Sequence, residues 1–183
     1  MVKRAFFLDR DGVLNPEVNY LHDPEQAALL PGAAEAIAAL HRAGFLAVVT
    51  TNQSGVARGM YPATDILAVH ARLQRLLLTS GGPDATVDAW YFCPHHPEIS
   101  GPCPCRKPAP GMLLQAAADL GVTAAESFMI GDRMSDLEAG RAAGCAGCCL
   151  VRTGYGVNVA DSARAAGFPV ADDLPAAVRR LLG

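Results

Sequence analysis

Apolar runs and amphipathic stretches alternate along the chain. Residues 4–8 (RAFFL) form a short apolar run that breaks at once into Asp9-Arg10-Asp11-Gly12, the pattern of a buried strand feeding a loop. Pro31-Gly32 opens a stretch with Ile37 and Leu40 on one face and Gly44 behind it, which predicts a helix over 32–43. Residues 45–50 (FLAVVT) predict a second buried strand. Ile66, Val69, Leu73, Leu76 and Leu77 recur at helical spacing over 62–79, and Gly81-Gly82-Pro83 stops them. A third strand is expected over 87–92, followed by a stretch rich in Pro, Gly and Cys over 93–108. The remaining pattern predicts a helix over 110–120, a strand over 127–130 and a short helix over 135–143. A strand over 146–151, a short strand near 168–170 and a helix over 173–182 complete the chain.

Strands alternating with helices predict an α/β fold: a doubly wound, mainly parallel sheet covered on both faces. No repeat, low-complexity segment or linker divides the chain, so a single domain over 1–183 is expected. Ligands in such sheets sit beyond the carboxyl ends of the strands. No large insertion follows the first or second strand, so no large cap domain is expected over those ends.

Composition adds exclusions. With 183 residues, 51% of them hydrophobic and 18% charged, the chain can bury a core without disulfide staples and is not intrinsically disordered. A net charge of −3 provides no basic field for nucleic acid. No run approaches the roughly 20 apolar residues that span a bilayer, and the first apolar run is too short for a secretory leader. The expectation is a cytoplasmic protein without nucleic-acid or membrane partners, and its compact size leans towards a monomer. Only Lys3 and Lys107 are lysines, which nearly identifies any functional lysine by elimination.

Four loops at expected strand ends carry candidate chemistry. Asp9 and Asp11, two residues apart, can serve one site as nucleophile and acid/base; an Asx-turn explains them equally well if read alone. Thr51-Asn52-Gln53-Ser54-Gly55 offers a hydroxyl, amides and backbone N–H groups suited to an oxyanion, or simply a capped loop. Arg106-Lys107 precedes a helix start and makes an anion site or a surface basic pair. Asp132 and Asp136 can complete a divalent-cation site with the first loop, or cap a helix. Together the loops supply what phosphoryl transfer to a carboxylate requires: a nucleophile, oxygen ligands for a hard cation, and positive groups around the transferring oxygens.

Cys93-Pro94-His95 followed by Cys103-Pro104-Cys105 has the ligand set of a closed structural zinc site. His96 competes with His95 for the fourth position. Zinc would order a proline-rich loop, about 93–107, that has little core of its own, and would hold Arg106-Lys107 in place. Cys145, Cys148 and Cys149 lie in a buried-strand pattern and read as core packing. His22, His41 and His70 read as surface residues, and Trp90 and Phe92 as core.

The motifs Phe7-Leu8-Asp9-Arg10-Asp11-Gly12, Thr51-Asn52-Gln53-Ser54-Gly55, Lys107-Pro108 and Gly131-Asp132-Arg133 with Asp136 resemble, in order, the four motifs of the haloacid dehalogenase (HAD) phosphatases. The resemblance implies a Rossmannoid fold with the first strand near the sheet centre, and a magnesium-dependent aspartyl-phosphate mechanism. It makes Asp9 the nucleophile and Asp11 the acid/base, with Thr51 and Lys107 stabilising the phosphoryl oxygens. Magnesium would be held by Asp9, the Asp11 carbonyl and Asp132, with Asp136 behind them.

The zinc loop running into Arg-Lys-Pro narrows the resemblance to the D-glycero-D-manno-heptose-1,7-bisphosphate 7-phosphatases. It implies a substrate loop of Glu17, Val18, Asn19 and Tyr20, and substrate contacts from Asn52, Gln53 and Ser54. Arg106 and Arg133 occupy substrate positions of that family. With Arg58 they suit the second phosphate of a bisphosphate, which must be held without being cleaved. Two departures stand out. Val13 replaces a frequent Thr, and the loop between His95 and Cys103 is short, as in the related histidinol-phosphate phosphatases. Histidinol phosphate is therefore the alternative substrate, and a non-catalytic phosphate-ligand domain the alternative outside catalysis.

Overall fold

The structure, a computed structural model, describes residues 2–183. Its centre is β1 (Ala5–Leu8), four residues without exposed surface. This strand pairs in parallel with β2 (Leu46–Asn52) on one side and β4 (Phe128–Gly131) on the other. With β3 (Ala89–Cys93), β5 (Gly147–Val151) and β6 (Val170–Ala171) they form a six-stranded sheet of order β3-β2-β1-β4-β5-β6, parallel at every pairing. The central placement of the first strand and the parallel sheet are as expected.

Helices cover both faces because both faces of each inner strand are apolar. Successive side chains of a strand point to opposite sides. Phe6, Leu8, Ala47, Val49, Cys149 and Val151 therefore join the layer formed by α1 (Ala33–Arg42) and α7 (Leu174–Leu182). Ala5, Phe7, Val48, Cys148 and Leu150 join the opposite layer, which holds α4 (Gly111–Leu120), α5 (Met134–Ala142) and α6 (Gly156–Ala165). The long helix α2 (Ala63–Gly81) sends Leu77 into the first layer, while its Val69 and Leu73 pack with Leu21 and Ala27 from the loop after β1. No cap domain stands over the carboxyl edge among the described residues. That edge is lined instead by the loop after β1 and by the Cys-rich segment, which carries the single-turn helix α3 (Pro97–Ser100).

Three details differ from the sequence reading. Helix α6 was not expected, because its buried residues are Gly156, Ala160 and Ala163, too small to give a periodic apolar signal. His70 is buried rather than at the surface: it shares the inner face of α2 with Ile66 and Leu73, and its ring stacks on Trp90 at 4.5 Å. Burial holds its imidazole neutral, with a pKa lowered to about 3. Trp90 and Phe92 are half-buried rather than fully enclosed. The cysteines of the fifth strand pack as expected, and a Cβ built at Gly140 would stand 2.7 Å from Cys148 Sγ.

Candidate active site

The loops that leave β1, β2, β3, β4 and β5 converge on one cleft of about 570 Å³ at the carboxyl edge of the sheet. Asp9 follows β1 directly, and its N–H donates to Ile130 O at 2.9 Å, which extends the pairing with β4 by one residue. Lys107 reaches Asp9 from the loop before α4. Its ammonium donates to Asp9 Oδ1 at 2.9 Å, to Asp136 Oδ1 at 2.7 Å and to Thr50 O at 2.7 Å. These contacts fix the charge in place beside Asp9. The Lys107 backbone is clamped as well, since its N–H donates to Asn52 Oδ1 and its carbonyl accepts from Asn52 Nδ2.

Asp11 is held by three side chains. Arg10 donates to both carboxylate oxygens at 3.0 Å, Asn15 Nδ2 to Oδ1 at 2.8 Å and Gln53 Nε2 to Oδ2 at 2.8 Å. Arg10 itself has no exposed surface, so this ion pair is half inside the protein. Gln53 also donates to Thr51 Oγ1 at 3.0 Å, which leaves the Thr51 hydroxyl proton free to point at a bound oxyanion. The Gln53 N–H is not free for that purpose, because it donates to Cys93 O.

The acid cluster is electrostatically loaded. Carboxylate oxygens of Asp9, Asp132 and Asp136 lie within 4.8 Å of one another, with the Lys107 ammonium against Asp9 and Asp136. Burial is the largest influence on Asp9; Lys107 pulls its pKa down while Asp136 and Asp11 push it up, with a net rise to about 6. Burial, followed by repulsion from Asp9 and Asp136, pushes Asp132 to about 8. Asp132 Oδ2 accepts from the Tyr155 N–H at 2.8 Å, whereas the buried Oδ1 has no hydrogen-bond partner. Closely spaced carboxylates with an unsatisfied buried oxygen fit a hard divalent cation, which takes oxygen ligands and removes the repulsion.

Around this centre the cleft carries Arg58, Arg106 and Arg133, together with Glu17, Asn19, Tyr20, Asn52, Gln53 and Ser54. Arg58 Nη2 meets His96 Nε2 at 2.8 Å, and Arg106 Nη1 donates to His95 O at 3.1 Å. Val18 is the exception among the expected substrate residues. It does not line the cleft and is 48% exposed, because the turn made by Asn19 and Tyr20 at positive φ directs its neighbours inwards and leaves it outside.

Cys93, His95, Cys103 and Cys105 come together at one side of the cleft. Their sulfurs are 2.9–3.5 Å apart, and His95 Nδ1 lies 3.7 Å from Cys93 and 3.4 Å from Cys105. Ligands at about 2.3 Å from a shared zinc would stand about 3.8 Å from each other, so the cluster is close to a tetrahedral cage already. Burial raises the Cys93 thiol. Cys103 feels burial too, but hydrogen bonds from Cys105 and the Arg106 backbone outweigh it and bring its pKa down to about 7. His96 is outside the cluster, turned towards Arg58.

Residues 104–177 match a hydrolase family model described as HAD-hydrolase-like. A D-glycero-D-manno-heptose-1,7-bisphosphate 7-phosphatase from Thermosynechococcus vestitus is 44% identical, across 97% of this chain and 95% of its own. The D-glycero-beta-D-manno-heptose-1,7-bisphosphate 7-phosphatase of Pseudomonas aeruginosa is 40% identical, across 100% and 99%. The chain belongs to the heptose-bisphosphate phosphatase family of HAD hydrolases. A crystal structure of D,D-heptose 1,7-bisphosphate phosphatase from B. bronchiseptica, complexed with magnesium and phosphate, superimposes with a TM-score of 0.86 at 38% identity, covering 99% of this chain and 98% of the other. The family assignment and the enzyme class, a phosphoric monoester hydrolase, agree with the sequence reading.

Several contributors at this family site were not legible in sequence. Arg10 sits inside the first motif and Asn15 three residues beyond it, and only the fold shows both grasping Asp11. Ser135 lines the cleft from the first turn of α5, between two residues of the fourth motif, and Tyr155 from the loop after β5, which carries no recognisable motif. Gly154 lies against the acid cluster at φ +57, where a Cβ would fall 2.2 Å from Asp132 Oδ2 and 2.8 Å from Gly12 Cα. The Gly between Thr153 and Tyr155 was the one available signal.

Proposed function

We propose that the chain removes the 7-phosphate of D-glycero-D-manno-heptose 1,7-bisphosphate and leaves the 1-phosphate. The observation that carries this reading is one cleft holding a lysine-anchored Asp9, an oriented Asp11 and three arginines. The names of the full-length relatives support the same substrate.

In the proposed reaction Asp9 attacks phosphorus through the oxygen that Lys107 does not hold. The bond to the sugar oxygen breaks, and Asp11 gives that oxygen its proton. Asp11 then takes a proton from the water that cleaves the aspartyl phosphate and frees Asp9. Thr51 and Lys107 donate to the transferring oxygens. Magnesium, with Asp9, Asp132 and the Asp11 carbonyl as proposed ligands, would neutralise charge on the phosphoryl group. Asp136 fixes Lys107 from behind. Arg58, Arg106 and Arg133 hold the phosphate that is not cleaved, since guanidinium binds phosphate in a bidentate manner.

Zinc is the proposed occupant of Cys93, His95, Cys103 and Cys105. Through the Arg106 contact to His95 O it would keep the arginine aimed at the cleft. The proposed unit is a single domain over 1–183, a monomer acting on a small sugar phosphate without nucleic-acid or membrane partners. Three cysteines assigned to zinc and three packed as thiols, Cys145, Cys148 and Cys149, suit a reducing cytoplasmic setting. No helix among the described residues is long and apolar enough to cross a membrane.

The test is a comparison of kcat/KM for heptose bisphosphate and histidinol phosphate. A preference of a hundredfold or more for the bisphosphate, about 2.7 kcal/mol of transition-state binding, is expected. A preference for histidinol phosphate would contradict the proposal.

A further inference from the structure

Tyr155 leaves β5 one residue after the glycine that touches the acid cluster, and it makes three contacts in three directions. Its N–H donates to Asp132 Oδ2 at 2.8 Å. Its ring lies under the Arg133 guanidinium, 3.8 Å from carbon to centroid. Its hydroxyl is 3.0 Å from Asn19 Oδ1 in the loop after β1. Arg133 is thus bounded by an aromatic face on one side and by Glu17 Oε2 at 3.5 Å on another, while it lines the cleft with 48% of its side chain exposed.

The loop that Tyr155 reaches does not hold its shape unaided. Asn19 and Tyr20 are non-glycine residues in the left-handed region, at φ 51 and 61, a conformation that costs free energy and needs outside support. Within the loop, Asn19 N–H donates to Glu17 Oε1 at 2.8 Å and Tyr20 O meets His22 Nδ1 at 2.9 Å; from outside it, the Tyr155 hydroxyl bonds Asn19 Oδ1. A long guanidinium side chain free in solvent would lose rotamer entropy on binding phosphate. Stacked on a ring, it has lost much of that already.

We infer that Tyr155 is a specificity-determining residue: its ring pre-positions Arg133, and its hydroxyl docks the Glu17–Asn19 loop, so that the substrate's second phosphate meets a fixed cation. The inference rests on the bisphosphate reading above. Tyr155 touches no reacting atom. It acts through Arg133 and the loop, and its contact with Asp132 is made by backbone, which substitution of the side chain leaves in place.

The experiment compares heptose 1,7-bisphosphate with heptose 7-phosphate, which lacks the second phosphate, and reads the ratio of the two kcat/KM values. In Tyr155→Phe, which keeps the ring and loses the Asn19 bond, the ratio falls about threefold to fivefold. Tyr155→Ala loses both contacts, and the ratio falls about tenfold or more, through KM for the bisphosphate rather than kcat. In an Arg133→Ala background, Tyr155→Ala has less than half that effect, because the ring no longer has a guanidinium to carry. A wild-type enzyme that does not prefer the bisphosphate overturns the underlying reading and this inference with it. A wild-type preference that survives Tyr155→Ala, equal losses on both substrates, or full additivity with Arg133→Ala overturns this inference alone.

Discussion

Asp132 is a carboxyl group enclosed among other carboxyl groups, and that placement has a measurable consequence. Its folded pKa of about 8 and that of Asp9 at about 6 both exceed the ordinary value of 3.8. The folded state binds more protons than the unfolded one across that interval, so these groups make stability fall as pH rises from about 4 to about 8. Magnesium bound to the ionised cluster would stabilise the fold, and it would compete with protons across that window. The gain in Tm from magnesium is therefore expected to grow between pH 5 and pH 8, and to be largely lost in Asp132→Asn. Buried His70, with its pKa lowered to about 3, acts in the opposite sense below about pH 6.5, so the comparison with Asp132→Asn isolates the cluster. A magnesium gain that shrinks as pH rises would contradict this account. Arg10 gives a second prediction at this scale. It is fully buried against Asp11, and Arg10→Met leaves that carboxylate without its cation at a cost of about 3 kcal/mol, measurable by urea unfolding. Asp9, Asp11 and Asp132 were legible because each stands in a short motif at a strand end. The grip of Arg10 was not, since the residue between two acids gives no sign of which way it turns.

The Cys-rich segment between β3 and α4 is an element whose order depends on its side-chain cluster. Apart from Cys93, it contributes little buried apolar surface, and its one helix spans only Pro97–Ser100. A metal held by four ligands would contribute folding free energy directly. About one zinc per chain is expected by elemental analysis of protein prepared without chelator, and Cys103→Ala should lower Tm by more than about 5 °C. Its effect on kcat should be smaller than its effect on stability. Protein free of zinc with an unchanged Tm would count against the site. The cluster itself could be read in sequence because two C-x-ligand pairs declare themselves by spacing. Helix α6 could not, because Gly156, Ala160 and Ala163 bury too little side chain to mark a face. The same weak pattern hid the loop before it. Gly154→Ala tests that loop: a Cβ there would collide with Asp132, so magnesium-dependent activity should fall by at least tenfold. Activity within twofold of wild type would show that the loop can retreat without cost.

At the scale of the molecule, the parallel sheet brings together residues that are far apart in the chain. Lys107 and Asp9 are separated by 98 positions, and Tyr155 and Asn19 by 136. The fold was readable because inner strands apolar on both faces can only lie between two helical layers, which fixes a parallel sheet and the edge where loops gather. The order of the loops along the chain then brought the candidate reacting groups to that edge. Pairings such as Asn52 with the Lys107 backbone, and the ring beneath Arg133, depend on three-dimensional register and lay beyond it. The account as a whole stands on Asp9 as the nucleophile towards a heptose bisphosphate. Its most direct test is phosphate release with magnesium from both anomers of heptose 1,7-bisphosphate, for the wild-type chain and for Asp9→Asn. The wild type should release one phosphate per sugar and stop at the 1-phosphate, and the folded Asp9→Asn variant should release none. Release of both phosphates, or turnover that persists in Asp9→Asn, would contradict it.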